Sequence, residues 1–169
     1  GPSAPLIPSV SEYLKAIAGK TAALFALATY TGATIGQLDF TEKKAAYRFG
    51  RQLGMAFQMI DDLLDYTQTT ATLNKPVLED LHNGIVTLPL IYAYQNVPEQ
   101  LAPMVGTAAK IAANSDRIAA IVSEHGLPQA RQLATRYTDK AINALAPLPD
   151  ARIKQELRKL TQQLLRRDH

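Results

Sequence analysis

Cysteine is absent from the 169-residue sequence, which removes both a disulfide framework and a thiolate zinc site and leaves the redox compartment open. Long apolar runs are absent as well: no uninterrupted stretch would span a bilayer, and no charged-then-apolar leader opens the chain. No alternating apolar–polar pattern of useful strand length occurs, so the expected fold class is all-α. No aromatic residues interleave with the basic ones and no nucleic-acid motif is found, which argues against a nucleic-acid surface. The expectation is a soluble cytoplasmic protein with no transmembrane segment and no nucleic-acid partner.

The composition that remains is that of an ordinary globular chain, with 47% hydrophobic and 20% charged residues, so disorder is excluded. The length suits one domain with one sizeable core. The net charge of +3 is mild. Much of the basic excess sits at Arg152, Lys154, Arg158, Lys159, Arg166 and Arg167, interleaved with Ile153, Leu157, Leu160, Leu164 and Leu165. That spacing reads as the solvated face of an amphipathic helix.

Residues 1–8 form a proline-rich lead-in whose first residues resemble a processing scar, and residues 9–169 are expected to be a single all-helical domain. Ser9 with Glu12 makes a capping-box pair that opens a helix to about residue 33, with Gly19 as its weak point. Asp39 with Glu42 opens a long second helix, residues 40–66. Residues 67–84 read as a polar loop with at most a short turn, after which Pro89 sits in the first turn of a helix reaching residue 96. Helices are then expected over 99–113, 115–125, 128–145 and 150–167, with Gly126 terminating the second of these.

The chemistry concentrates at the end of the long second helix. At about 100° per residue, Gln58, Asp61, Asp62 and Asp65 share one face, while Phe49, Leu53, Ala56, Phe57, Ile60, Leu63 and Leu64 take the opposite side. Like charges at this spacing disfavour one another, and no lysine or arginine lies three or four residues from any of these aspartates within the helix. Three such carboxylates call for a cation. Oxygen-only ligation suits magnesium, which keeps waters and is completed by phosphates. A solvated acidic turn remains the alternative for this motif taken alone. Lys20-Thr21, beside Gly19 in an alanine-rich helix, adds a cation and a hydroxyl, and Lys75 adds a loop cation. Singly these read as surface lysines. Together with the aspartates they make a coherent diphosphate site.

The stretch Gly54-Met55-Ala56-Phe57-Gln58-Met59-Ile60-Asp61-Asp62-Leu63-Leu64-Asp65 resembles the second aspartate-rich motif of the trans-isoprenyl (polyprenyl) diphosphate synthases. Upstream, Lys20-Thr21-Ala22 resembles the family's K-T-A element. Downstream, Lys75-Pro76, Asp80-Leu81, Gly84 and Thr87-Leu88-Pro89-Leu90 resemble an element of its bacterial long-chain members. The order and spacing agree for all three, and the resemblance runs from about Ser9 to the C-terminus. It implies a helical bundle forming the C-terminal part of the isoprenoid synthase fold. Asp61, Asp62 and Asp65 would hold Mg2+ bridging the diphosphate of an allylic substrate, and Lys20 and Lys75 would contact that diphosphate as it leaves. Thr21 and Gln58 would line the cavity near the allylic cation. The implied reaction ionises the allylic carbon–oxygen bond, couples the cation to isopentenyl diphosphate and removes a proton.

Asn74 stands where the family pattern has glycine, and Ile85 where it often has lysine. The family's first aspartate-rich motif and its isopentenyl diphosphate element, carried by the N-terminal half, have no counterpart here, because the sole D-D-x-x-D begins at Asp61. The expectation is therefore a half-bundle, inactive in chain elongation by itself, that needs a missing N-terminal half or a partner subunit and self-associates as a homo-oligomer. Two alternatives stand beside it: a non-catalytic subunit of a heteromeric synthase, and, more remotely, a terpene cyclase, for which Asn114-Ser115-Asp116 is a superficial echo of the metal motif.

Overall fold

A computed structural model describes residues 6–67 and 78–166. Within them the chain is helical, and no strand occurs. The elements are α1 (Val10–Ile17), a π-turn (Ala18–Ala22), α2 (Ala23–Ile35), α3 (Phe40–Thr67), α4 (Glu79–His82), α5 (Leu88–Asn96), α6 (Pro98–Val105), α7 (Ala108–Ala113), α8 (Ser115–His125), α9 (Leu127–Asn143) and α10 (Ala151–Leu165). Among the described residues no helix is long and apolar enough to cross a membrane.

The helix starts follow from side chains that satisfy the free backbone N–H groups of a first turn. Ser9 and Glu12 form the reciprocal capping box, with the Glu12 N–H donating to Ser9 Oγ at 3.0 Å and the Ser9 N–H donating to Glu12 Oε1 at 3.2 Å. Asp39 and Glu42 repeat the device at the start of α3, at 2.8 and 3.0 Å. Asp150 accepts from the N–H groups of Arg152 and Ile153 and so opens α10. The stretch expected as one helix over 99–113 is two helices, a correction with a clear cause. The chain breaks at Gly106-Thr107, and the extended Thr107 starts a new helix by accepting from the Lys110 N–H at 3.1 Å.

The contacts group into two compact units. The first, Gly1–Tyr13 with Asp61–Gln132, is built around α5, which is buried on nearly every side through Leu88, Pro89, Leu90, Ile91 and Ala93. Helices α6 and α8 pack on α5, and α4 packs on α7. Gly126 does end α8, but its φ of −130° is not left-handed. Its role is proximity: a Cβ there would lie 2.0 Å from the Pro89 carbonyl oxygen and 2.8 Å from the Ala93 nitrogen.

In the second unit, Leu14–Ile60 with Leu133–His169, α2 and α3 approach closely through glycines. A Cβ on Gly50 would meet Thr29 Oγ1 at 2.1 Å and the Phe25 carbonyl oxygen at 2.5 Å, and one on Gly54 would meet the Ala22 Cα at 2.8 Å. The approach lets Thr29 Oγ1 donate to the Ala46 carbonyl at 2.6 Å and brings the Phe25 and Phe57 rings to 5.4 Å. The π-turn keeps the small residues of this seam in register. Buried Ile17 and Ala22 are five positions apart across it, whereas Ala22, its last residue, and Ala26 in α2 are four apart. Its wider ring is closed by the Ala23 N–H donating to the Ala18 carbonyl.

Gly50→Ala is expected to destabilise the chain by about 1–3 kcal/mol through overpacking against backbone. Gly32→Ala, in α2 with open space around its Cβ, should instead stabilise by about 0.5–1 kcal/mol, the usual helix-interior gain of alanine over glycine. Thermal melts of the two variants check both signs.

Candidate functional site

The close approach of α2 and α3 has a direct chemical consequence inside its unit. Thr21, in the π-turn, lies against Gln58 on α3, and its hydroxyl donates to Gln58 Oε1 at 3.0 Å. Two residues singled out from the sequence, 37 positions apart, are thus brought together, both part-buried. Lys20 is exposed on the same π-turn, where a wide turn re-aims successive side chains. Lys75 falls outside the described residues.

Within the other unit, the last two turns of α3 carry Asp61, Asp62 and Asp65, with no basic residue in the last turn. The backbone carbonyls there already put partial negative charge at the helix C-terminus, so carboxylates at this end are disfavoured twice. The expectation that all three present together on one front is corrected by the structure. Asp61 is exposed and Asp65 half-buried, but Asp62 is buried, 5% exposed, and its Oδ2 accepts a hydrogen bond from the Tyr13 hydroxyl of α1. The one-residue step from Asp61 carries Asp62 about 100° around the helix, to the side where α1 packs. Burial, and then the Asp62 charge, push the Tyr13 phenol well above its ordinary range, so it stays a neutral donor.

Asp65 and Asp80 complete the acidic end. Leu78, fully buried, adopts a left-handed backbone conformation (φ 61°, ψ 44°), which bulky residues rarely take without surrounding support. It turns the chain so that the Glu79 N–H donates to Asp65 Oδ1 at 3.0 Å. The second oxygen, Asp65 Oδ2, is buried with no hydrogen-bond partner among the described residues. Burial first, and the Asp80 carboxylate next, raise Asp65 to about 6. Asp80 is raised in turn by burial and then by Asp61 and Glu79. The Asp80 carboxylate therefore acts on Asp65 and itself feels the charge of Asp61. Sequence reasoning assigned no role to Tyr13 or Asp80: Asp80 stood inside a recognised element, whereas nothing local marks Tyr13 as the partner of a residue 49 positions away.

A hard dication fits this end of α3. It would bind through carboxylate oxygens alone and give Asp65 Oδ2, orphaned among the described residues, a partner. Among the described residues no three His, Cys, Asp or Glu side chains close around one point, so these groups by themselves do not make a complete metal cage. The Thr21–Gln58 pair offers a different chemistry, oxygen dipoles in a part-buried place where they can stabilise positive charge.

Comparison with known proteins agrees with these elements. The polyprenyl synthetase family model matches residues 3–125. The octaprenyl diphosphate synthase of Haemophilus influenzae is 36% identical over 156 residues, covering 89% of this chain and 47% of the relative. The heptaprenyl diphosphate synthase component 2 of Geobacillus stearothermophilus is 36% identical over 158 residues, covering 93% and 49%. Among solved structures, the polyprenyl synthase of Caulobacter crescentus, complexed with calcium and isoprenyl diphosphate, superposes with a TM-score of 0.83 at 34% identity, covering 95% of this chain and 51% of that one. The chain thus spans about half the length of these relatives.

Tyr13→Phe removes the donor that Asp62 holds and should cost about 1–3 kcal/mol, as for a buried acceptor deprived of a partner. A double-mutant cycle with Asp62→Asn should show that the two losses are coupled rather than additive. Asp65 binds its proton more tightly folded than unfolded, so its stabilising contribution is present in full below pH 3.8 and is lost as pH rises through about 6. Metal-free melts across that window should show a larger decline for the parent chain than for Asp65→Asn.

The match of the family model over residues 3–125, together with relatives of 36% identity and helical neighbours of the same fold, establishes that the chain belongs to the polyprenyl synthetase family.

Proposed function

We propose that this chain supplies the second aspartate-rich half-site of a Mg2+-dependent trans-prenyltransferase that condenses an allylic diphosphate with isopentenyl diphosphate. The observation that carries the reading is the acidic end of α3, where burial and then the Asp80 carboxylate raise Asp65 and where Asp65 Oδ2 has no hydrogen-bond partner among the described residues. The relative from Caulobacter crescentus, complexed with a divalent cation and an isoprenyl diphosphate, supports extending that chemistry to this chain.

Asp61 and Asp65 are the residues we assign to Mg2+, with Asp80 beside them. Asp62 belongs to the recognised motif, but its contact with Tyr13 supports a positioning role that fixes the face on which its neighbours stand. When bound, the metal neutralises charge on the diphosphate and so favours its departure. From the family pattern, Lys20 and Lys75 contact the diphosphate as negative charge grows on it. Thr21 and Gln58 turn oxygen dipoles toward the allylic cation, where preorganised electrostatics act most strongly. Their hydrogen bond holds both oxygens in place before reaction.

The other elements of the reaction, including the first aspartate-rich motif and the isopentenyl diphosphate element, come from an N-terminal half or a partner subunit. The component 2 relative, one part of a multi-component synthase by its name, supports assembly from separate chains as a second reading. In either case the chain alone does not elongate prenyl chains.

Calorimetric titration with a non-hydrolysable farnesyl diphosphate analogue tests the proposal. Binding should require Mg2+ and fall at least about tenfold in Asp61→Ala, the scale of losing one charge-assisted contact. Binding that ignores both Mg2+ and Asp61 would refute the metal assignment. Prenyl product formed by the purified chain, allylic diphosphate, isopentenyl diphosphate and Mg2+ would refute the half-site reading.

A further inference from the structure

Helix α2 carries apolar side chains on its inner and outer faces alike. The inner face buries Ala26 and Ala33, yet Leu27 and Ile35 on the outer side stay 60% and 78% exposed. No charged residue occurs from Ala23 to Ile35. A helix that is apolar all round belongs in an interior, whereas an ordinary surface helix turns a polar face to water. The exposed apolar surface continues onto α3, where Phe40 is open and Tyr47 meets Tyr30 of α2 edge-on at 6.4 Å. Six of the ten exposed large apolar side chains among the described residues fall within residues 24–47, in one unit. They form a patch, and a patch of this kind marks an interaction surface.

Gly32 belongs to the same surface. It is exposed, and a Cβ there would meet nothing within 4 Å. Glycine inside a helix costs about 0.5–1 kcal/mol relative to alanine, and, unlike at Gly50 and Gly54, no neighbour among the described residues requires it. Ala28, one turn earlier, is also exposed. Two small residues beside Leu24 and Leu27 give the shape that lets a second helix approach closely, at about 8 Å between axes.

We propose that this face docks an uncharged, apolar helix of the enzyme's N-terminal half, whether that half lies on the same chain or on a partner subunit. The identity of the partner rests on the half-site reading. The solved polyprenyl synthase of Caulobacter crescentus matches 95% of this chain with only 51% of its own, so a segment about as long as this chain remains to cover the face. A bilayer fits less well, because 13 residues do not span it and no cation along α2 meets a headgroup. A second copy of this chain is the rival occupant, and the experiment separates the two.

The test is co-expression of the 169-residue chain with the half of the Haemophilus influenzae octaprenyl diphosphate synthase that it does not match, purified through a tag on that half. The expected result is a complex with one copy of each. Leu27→Glu/Ile35→Glu should lower its recovery at least about tenfold, because two charges would enter an apolar contact. Gly32→Ala separates docking from folding: it should raise the melting temperature of the chain alone yet weaken the complex. Ile153→Glu/Leu160→Glu, at two exposed apolar positions of α10, should leave the complex unchanged. Mg2+-dependent binding of the farnesyl diphosphate analogue by the chain alone should be the same in Leu27→Glu/Ile35→Glu, so loss of docking and loss of the aspartate site are read separately. Absence of the complex, a complex that survives Leu27→Glu/Ile35→Glu, or equal loss in Ile153→Glu/Leu160→Glu would each overturn the proposal. So would a complex strengthened by Gly32→Ala, or a homodimer of the chain held through Leu27 and Ile35 in place of the complex.

Discussion

Carboxylate charge crowded against the C-terminal end of a helix is the constraint on which the candidate site depends. Asp61, Asp62 and Asp65 follow one another where the α3 backbone is already negative, and Asp80 adds a fourth charge from across the chain turn. The protein relieves this in two ways. One carboxylate, Asp62, is withdrawn into the core against a neutral phenol. Asp65 Oδ1 accepts the Glu79 N–H, while its Oδ2 has no partner among the described residues. Asp80, raised by burial and then by Asp61 and Glu79, keeps the negative charge of this end concentrated.

In each of the two units, packing holds backbone in places that are otherwise unfavourable. A left-handed leucine aims the Glu79 N–H at Asp65. A π-turn carries Lys20 and Thr21, and two glycines let α2 come close enough for Thr21 to reach Gln58. Each local feature costs stability and persists because the surrounding packing fixes it. Such spending is characteristic of sites where geometry is under functional demand.

The legible part of the fold was the part written in local spacing. Capping pairs such as Ser9 with Glu12 announce helix starts within four residues, and the structure contains those hydrogen bonds. Pro89 likewise marked the first turn of α5. The break at Gly106-Thr107 was missed because apolar residues continue on both sides at helical spacing, which hides a cap that the threonine alone could have signalled. Gly19 was recognised as a weak point in its helix, but periodicity could not specify that the weakness becomes a π-turn. For the site, motif spacing located the aspartates, Lys20, Thr21 and Gln58. It could not reveal that Asp62 faces inward, since its partner Tyr13 lies 49 residues away and a helical wheel does not say which neighbour covers each side. The basic C-terminal residues read as a solvated face, and Arg152, Arg158, Lys159 and Arg166 are exposed on α10 and its end.

The division of labour among the aspartates is most directly tested by Mn2+ electron paramagnetic resonance, with manganese standing in for magnesium and farnesyl thiodiphosphate present. The account predicts that Asp61→Asn and Asp65→Asn each weaken Mn2+ binding by at least about tenfold, one charged oxygen ligand apiece, whereas Asp62→Asn changes it little and lowers the melting temperature instead. Equal loss of Mn2+ binding in all three variants would contradict it, as would binding unaffected by Asp61→Asn.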